Sequence, residues 1–409
     1  MRQSKLLATQ LQRRDPNAWT ALLRDHMEVE ELVVTAVSAK PIRPHTQSSR
    51  RMTRYLLSLA GHSDPIAFIG RYINAAEAAF YLEFAPRLPE LVPGCHFLHQ
   101  AEPNGEGWAV LDDVPNDISP ERWSTEDINA IVEKLAHLHA VFFDKTADLT
   151  NAGLGLLLDR SAYRWESLVA EQSVYFEEGP AAVLSEHALS QAGQLAPLFL
   201  QAANGLVVMR DLGGWPGILG ESHLTAVADL LDDPVPLLEP LRQLPYTLLH
   251  GDPNNRRWRV TVFEDQRLTS WQTAAIGPGI CDLISFIEQF SLLDDAESAP
   301  NLRTRPTWPV DEETMIDSYM LALSQRLGNR INTRAMRQAI PAARCLYVLT
   351  NWFPHFATWF EEMPNRYTWQ KVNRMADHDF VDTPLHGFLQ LRPYLANVFE
   401  RFLLAYRSL

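Results

Sequence analysis

The feature that most constrains the fold is a change of hydrophobic period along the chain. Val29 to Ile42 and Arg51 to Ala60 alternate apolar with polar residues and carry β-branched and aromatic side chains, the pattern of two half-buried strands. The connection between them, Arg43 to Ser49, is polar and contains no glycine. Ile66 to Tyr72 reads as a third strand, and Asn74 to Leu82 has the composition and apolar spacing of a helix. Two further strands are predicted around His96 to Leu98 and Trp108 to Leu111. From Thr125 onward the spacing becomes helical: Ile128 to Phe143, a long stretch from Ala162 to Gln243, Met315 to Arg326, Pro341 to Phe360 and Arg392 to Tyr406. A short helix opens earlier, at Asp15-Pro16-Asn17-Ala18-Trp19, with an acidic cap and proline in its first turn. The expected fold class is α+β and two-lobed: a small antiparallel β lobe with one helix, then a larger, mostly helical lobe, with a cleft at the junction. The corresponding division is 1–28 as a helical extension, 29–115 as the β lobe and 116–409 as the helical lobe.

Composition narrows the class of partner. The 409 residues suffice for a large core, and 46% hydrophobic with 21% charged residues is ordinary for a soluble globular protein. A formal net charge of -14, from 36 basic and 50 acidic side chains, argues against nucleic acid and anionic membrane surfaces as partners. Cys95, Cys281 and Cys345 are too few and too scattered for a disulfide framework or a zinc site. The first residues carry no apolar run like that of a signal peptide, and no span approaches ~20 apolar residues. The expected location is cytoplasmic.

The chemistry-bearing stretch is His250-Gly251-Asp252-Pro253-Asn254-Asn255-Arg256-Arg257, which follows the apolar Tyr246 to Leu249. An aspartate on such a tight loop accepts a proton from a substrate hydroxyl when it points into a cleft. Four further segments stand in order around it: Asn74 to Tyr81 with Glu77, Leu135-Ala136-His137-Leu138-His139-Ala140, Trp271 with Gly277-Pro278, and Asp282-Leu283. Together they resemble the aminoglycoside phosphotransferase and choline kinase family, which has the two-lobed protein-kinase fold. The resemblance spans roughly residues 29 to 290.

The resemblance implies roles position by position. Arg71 falls where a third-strand cation contacts nucleotide phosphates, Glu77 where its helix partner lies, and Asp252 where the catalytic base lies, with His250 beside it. The family's metal-binding asparagine, five residues after the base, is Arg257 here. Its metal-binding aspartate, just before the tryptophan, is Ser270. Magnesium prefers oxygen ligands including carboxylates, and a guanidinium ~4 Å away repels it by several kcal/mol at an effective dielectric near 20. No metal ligand set is therefore expected, and Arg71 with Glu77 reads as a vestigial nucleotide site. Arg257 is expected to replace the metal electrostatically, pairing with Asp252 or with an anionic ligand.

Phosphoryl transfer without the metal would be very slow. The expected function is a degenerate phosphotransferase-like protein that binds, and transforms by acid–base, dehydration or cyclisation chemistry, a small organic metabolite, as a biosynthetic cyclase does. No cofactor is expected on that reading. The alternatives are an ATP- and magnesium-dependent kinase with displaced ligands at Asn254 or Asn255 with Asp252, and a non-catalytic pseudokinase. Trp352, His355, Trp359 and Trp369 are candidates for the walls of a substrate pocket in the helical lobe, with Glu361 and Glu362 as polar anchors. Asp112 and Asp113 follow the fifth strand, where the resemblance places the adenine-side hinge.

Overall fold

The computed structural model describes residues 2–27, 31–42, 52–100, 106–160, 184–263, 265–288, 309–359, 370, 374 and 392–409. They group into two compact units. The first comprises Met1–Lys134, Asp148–Leu154 and Arg256–Ala274, and the second Leu135–Ala147, Gly155–Asn255 and Ala275–Leu409.

The first unit begins with helices α1 (Arg2–Gln12) and α2 (Pro16–Met27). The predicted cap is present: the Asp15 carboxylate accepts from the Asn17 N–H at 3.0 Å, and Pro16 occupies a position that needs no amide donor. Strands β1 (Val34–Pro41), β2 (Met52–Leu59) and β3 (Ile66–Ile73) follow. Helix α3 (Ala75–Ala79) then leads to β4 (Cys95–His99) and β5 (Gly107–Asp112). These form the expected five-strand antiparallel sheet, in the order β1-β2-β3-β5-β4.

Alternation along β3 divides the work of the sheet between its two faces. Phe68 joins Tyr55, Leu57, Trp108 and Val110 against Leu11, Trp19, Leu22 and Leu23 of the N-terminal helices. Trp19 is fully buried, with its ring 5.1 Å from Tyr55 and 5.9 Å from Phe68. The two N-terminal helices thus share the core of the sheet. Arg71 is on the other face. The helix expected over Asn74 to Leu82 changes character partway, because α3 runs on into a π-helical turn, Phe80–Phe84. The wider turn buries Phe80, Tyr81 and Phe84 together and leaves Leu82 half exposed.

Helix α4 (Thr125–Val141) contributes its first turns to the first unit and its last to the second. The second unit continues through α5 (Ala196–Leu212), with further helices at Glu186–Ala192, Glu221–Asp232 and Val235–Arg242. Residues 161–183 of the stretch expected to be helical lie outside the described residues. Four three-residue strands follow where only loops and helices were expected: β6 (Thr247–Leu249), β7 (Trp258–Val260), β8 (Gln266–Leu268) and β9 (Ala275–Gly277). β6 pairs with β9 in the second unit, and β7 pairs with β8 in the first. The chain ends with α6 (Ile280–Glu288), α7 (Glu312–Leu327), α8 (Ile340–Asn351), α9 (Phe353–Trp359) and α10 (Arg392–Tyr406), besides a short helix at Thr333–Gln338.

One expectation from composition needs correction. The run Glu186–Leu212 is long and apolar enough to cross a membrane, and 67% of its most apolar window is buried inside the protein. The reason is packing on several sides, since Phe199, Leu200, Ala202, Ala203, Leu206 and Met209 of α5 are all fully buried. Gly205 packs directly against the start of α9, because a Cβ there would lie 1.8 Å from the Phe353 carbonyl oxygen. Gly205→Ala is expected to force α5 and α9 apart and lower stability by roughly 1–3 kcal/mol or more. Denaturant unfolding measures this.

Candidate functional site

In the first unit, Arg71, Asn74 and Glu77 converge on the loop after β8. Arg71 and Glu77 are 3% and 0% exposed, and their side chains form an ion pair at 3.2 Å. A second arm of the same guanidinium donates to Ser270 Oγ at 3.0 Å. Glu77 Oε1 accepts from the Trp271 N–H at 3.1 Å, and the Trp271 ring stacks on Phe80 at 3.7 Å, with 6° between planes. Asn74 caps α3 by accepting from the Glu77 N–H at 2.9 Å. Its amide also donates to the Gln272 carbonyl at 2.8 Å. An Asn followed three residues later by Glu is a readable helix-start signature, yet nothing local showed that its amide would reach residue 272.

These bonds hold Ser270 at φ 69 and ψ 66, in the left-handed region that a residue with a side chain rarely adopts. Such strain costs on the order of 1–3 kcal/mol and persists only where neighbours over-determine it. Arg257 is brought near Ser270 in the ladder, because its carbonyl accepts from the Thr269 N–H at 2.9 Å and the Thr269 hydroxyl at 2.8 Å. The Arg257 residue is half-buried. The two positions that the family resemblance gives to metal ligands are thus neighbours on one ribbon end. They supply a hydroxyl already bonded to a buried guanidinium, and a second guanidinium, with no carboxylate. Neither side chain supplies the carboxylate oxygens that magnesium favours.

Asp112 and Asp113 have internal partners in the same unit. Asp112 accepts from the Gly94 N–H at 2.8 Å and lies 2.6 Å from His96 Nε2. Burial pushes its pKa up, but the His96 and Gly94 bonds outweigh this and hold it below the usual value. Asp113 pairs with Arg54 at 2.6 Å.

In the second unit, β6 delivers the chain into His250-Gly251-Asp252. Gly251 has φ 86, which explains a glycine between two functional residues. Asp282, at the start of α6, organises this loop from below. Its carboxylate accepts from the His250 N–H at 2.7 Å and the Gly251 N–H at 2.9 Å, and it lies 3.3 Å from His139 Nε2. His139 Nδ1 lies 2.6 Å from the Tyr319 hydroxyl of α7. Since a carboxylate only accepts, Nε2 carries the proton toward Asp282, and in neutral His139 Nδ1 accepts from Tyr319. Asp252 is half-buried, and Asn254, 2% exposed, donates its amide to Asp252 Oδ1 at 2.8 Å. The loop therefore presents a carboxylate oriented by a side-chain amide and a backbone fixed by a second, buried carboxylate. Tyr319 had no signal in the sequence, and the positioning roles of Asn254 and Asp282 had only their place in the motif.

Burial, with Asp282 and Cys281 nearby, pushes the Tyr319 phenol well above its ordinary value. An unfolded tyrosine ionises near pH 10. The unfolded chain then releases a proton that the folded chain keeps, so stability is lost as pH rises above about 10. Tyr319→Phe is expected to make that loss shallower in melting curves between pH 8 and 11.

Among the C-terminal aromatic residues, Trp352 is fully buried with its ring 5.9 Å from Tyr394, a place in the helical core. His355 is half-buried in α9. The Trp359 side chain, Glu361, Glu362 and Trp369 lie outside the described residues.

Solved structures similar to the chain include a spectinomycin phosphotransferase in complex with ADP and spectinomycin, at 11% identity and a TM-score of 0.45, over 96% of this chain and 98% of that one. A choline kinase from Cryptosporidium parvum aligns at 10% identity and a TM-score of 0.41, over 94% and 98%. An aminoglycoside phosphotransferase from Alicyclobacillus acidocaldarius aligns at 11% and 0.41, over 90% and 92%. No protein-family model matches the chain, and no curated protein does. Likeness of this grade identifies neither an activity nor a substrate.

Proposed function

We propose that this chain is a phosphotransferase-like protein that does not carry out magnesium-dependent phosphoryl transfer. Its Asp252 loop serves acid–base chemistry on a small organic metabolite. The observation that carries this reading is the bond from Arg71 to Ser270. The cation that the resemblance assigns to nucleotide phosphates is buried, paired with Glu77 and hydrogen-bonded to the residue that replaces the metal-binding aspartate. Both of its terminal nitrogens are thus directed at protein groups rather than held out for a phosphate. Asp252 keeps the attributes of a working acid–base group, because it is partly accessible and its carboxylate is oriented by Asn254. The substrate on this reading is a small metabolite with a C–H or O–H proton that a carboxylate can take.

Thermal denaturation with ATP, with and without magnesium, tests this. The expected result is no change in melting temperature in either case. A ligand at 100 times its dissociation constant would stabilise the fold by ~2.7 kcal/mol. A magnesium-dependent rise, followed by ATP consumption with an acceptor alcohol, would reject the proposal in favour of an active kinase.

A further inference from the structure

Among the described residues of the first unit, the buried polar atoms with no hydrogen-bond partner include the Arg71 Nε–H and the Tyr81 hydroxyl. Arg71 is 3% exposed and Tyr81 is 4% exposed. Buried polar groups are nearly always satisfied, and one left stranded is unfavourable. The two share a neighbourhood, because Tyr81 follows Glu77, the ion-pair partner of Arg71, by four residues along one continuous helical run.

Neither group has an easy way out. The terminal nitrogens of Arg71 are held by Glu77 and Ser270, so the guanidinium cannot turn to offer Nε elsewhere. Tyr81 is in the π-helical turn Phe80–Phe84, a rare conformation that recurs at functional sites. Burial keeps its phenol protonated, so it both donates and accepts. Nearby groups are engaged: the Cys95 thiol donates to the Phe97 carbonyl, and Asp112 is held by Gly94 and His96.

The chemistry that satisfies both atoms is a small molecule with lone pairs to accept from Nε–H and with hydrogens of its own. A small anion is opposed by the carboxylates of Glu77 and Asp112, whereas water suits all of these groups. We propose that Arg71 Nε and the Tyr81 hydroxyl together hold one buried water, a site that fixes the guanidinium plane so that its terminal nitrogens face Glu77 and Ser270.

Tyr81→Phe tests this, because the sign of its effect differs between the two cases. If a water bridges the pair, the variant loses the bridge and strands Arg71 Nε, so its melting temperature falls. The count of long-lived waters in oxygen-17 and deuterium relaxation dispersion drops by one as well. If the hydroxyl has no partner, removing it leaves the melting temperature unchanged or raises it, and the proposal is overturned. Should the variant fail to fold, high-resolution crystallography of the wild-type protein decides. A density peak within hydrogen-bond distance of both atoms supports the site, and no peak overturns it. An anomalous peak there from crystals soaked in bromide overturns it as well, in favour of an anion.

Discussion

Replacing Glu288 by alanine is expected to lower folding stability by about 3–5 kcal/mol, the range for removing one partner of a buried ion pair. Glu288 ends α6 and is 0% exposed. One of its oxygens pairs with Arg344 of α8 at 2.9 Å, and the other pairs with Arg401 of α10 at 2.5 Å. The Tyr394 hydroxyl donates to its carbonyl, and Arg344 reaches on to Glu312 at the start of α7. Burial works against the charge on Arg401, yet Glu288 outweighs it and holds the Arg401 pKa above its ordinary value. Removing the carboxylate leaves two largely buried guanidinium groups with one exposed-side partner between them. Arg337 provides the contrast. It pairs with Glu313 and Asp317, and all three side chains are exposed. Arg337→Ala is therefore expected to change stability by less than ~1 kcal/mol. Urea unfolding of the two variants side by side measures the difference, and equal losses would mean that Glu288 is not the helical unit's electrostatic anchor.

The same comparison shows which parts of the structure can be read from sequence. β1, β2 and β3 were legible because each runs for eight residues, long enough for a period of two to register. Arg392–Tyr406 was legible to the residue, because its apolar positions repeat at helical spacing throughout. The strands β6 to β9 were not, since three residues cannot show a period and their pairing is set by the ribbon they close. The apolar run through α5 was underestimated for a related reason. Interspersed Gln, Asn and Arg residues break it up in sequence, while most of its surface is covered in the fold.

Within the candidate site, the legible residues were those with a fixed place in the motif: His250, Asp252, Arg257 and Ser270. Their partners were less accessible to reading. The Arg71 bond to Ser270 joins residues 199 positions apart, and the His139 bond to Tyr319 joins residues 180 apart. Periodicity carries no information at that range. What the resemblance implied at Ser270 was a hydroxyl where the family places a carboxylate. That a guanidinium, rather than solvent, meets the hydroxyl there required the structure.

Asp282→Asn and Asp252→Asn are expected to separate the integrity of the loop from its chemistry. Asp282 is 1% exposed and accepts from two successive backbone N–H groups with its two oxygens. An asparagine fills the same volume, but its amide group would face one of those N–H groups donor to donor. One buried donor then loses its acceptor, at about 1–3 kcal/mol, and the His250-Gly251 backbone is displaced. Asp252 is in a different position. It is half-buried, and an asparagine there can still accept from the Asn254 amide. Asp252→Asn should accordingly stay within ~1 kcal/mol of the wild type while losing the only group on this loop able to accept a proton as a carboxylate. Amide hydrogen exchange resolves the pair: faster exchange at His250 and Gly251 in Asp282→Asn, and unchanged exchange in Asp252→Asn. Equal protection in both variants would mean that the loop is held by β6 and β9 alone, and Asp282 would lose its positioning role. The contrast matters for the proposed function, because a variant that removes the Asp252 carboxylate without moving the loop is the control that any later assay of turnover requires.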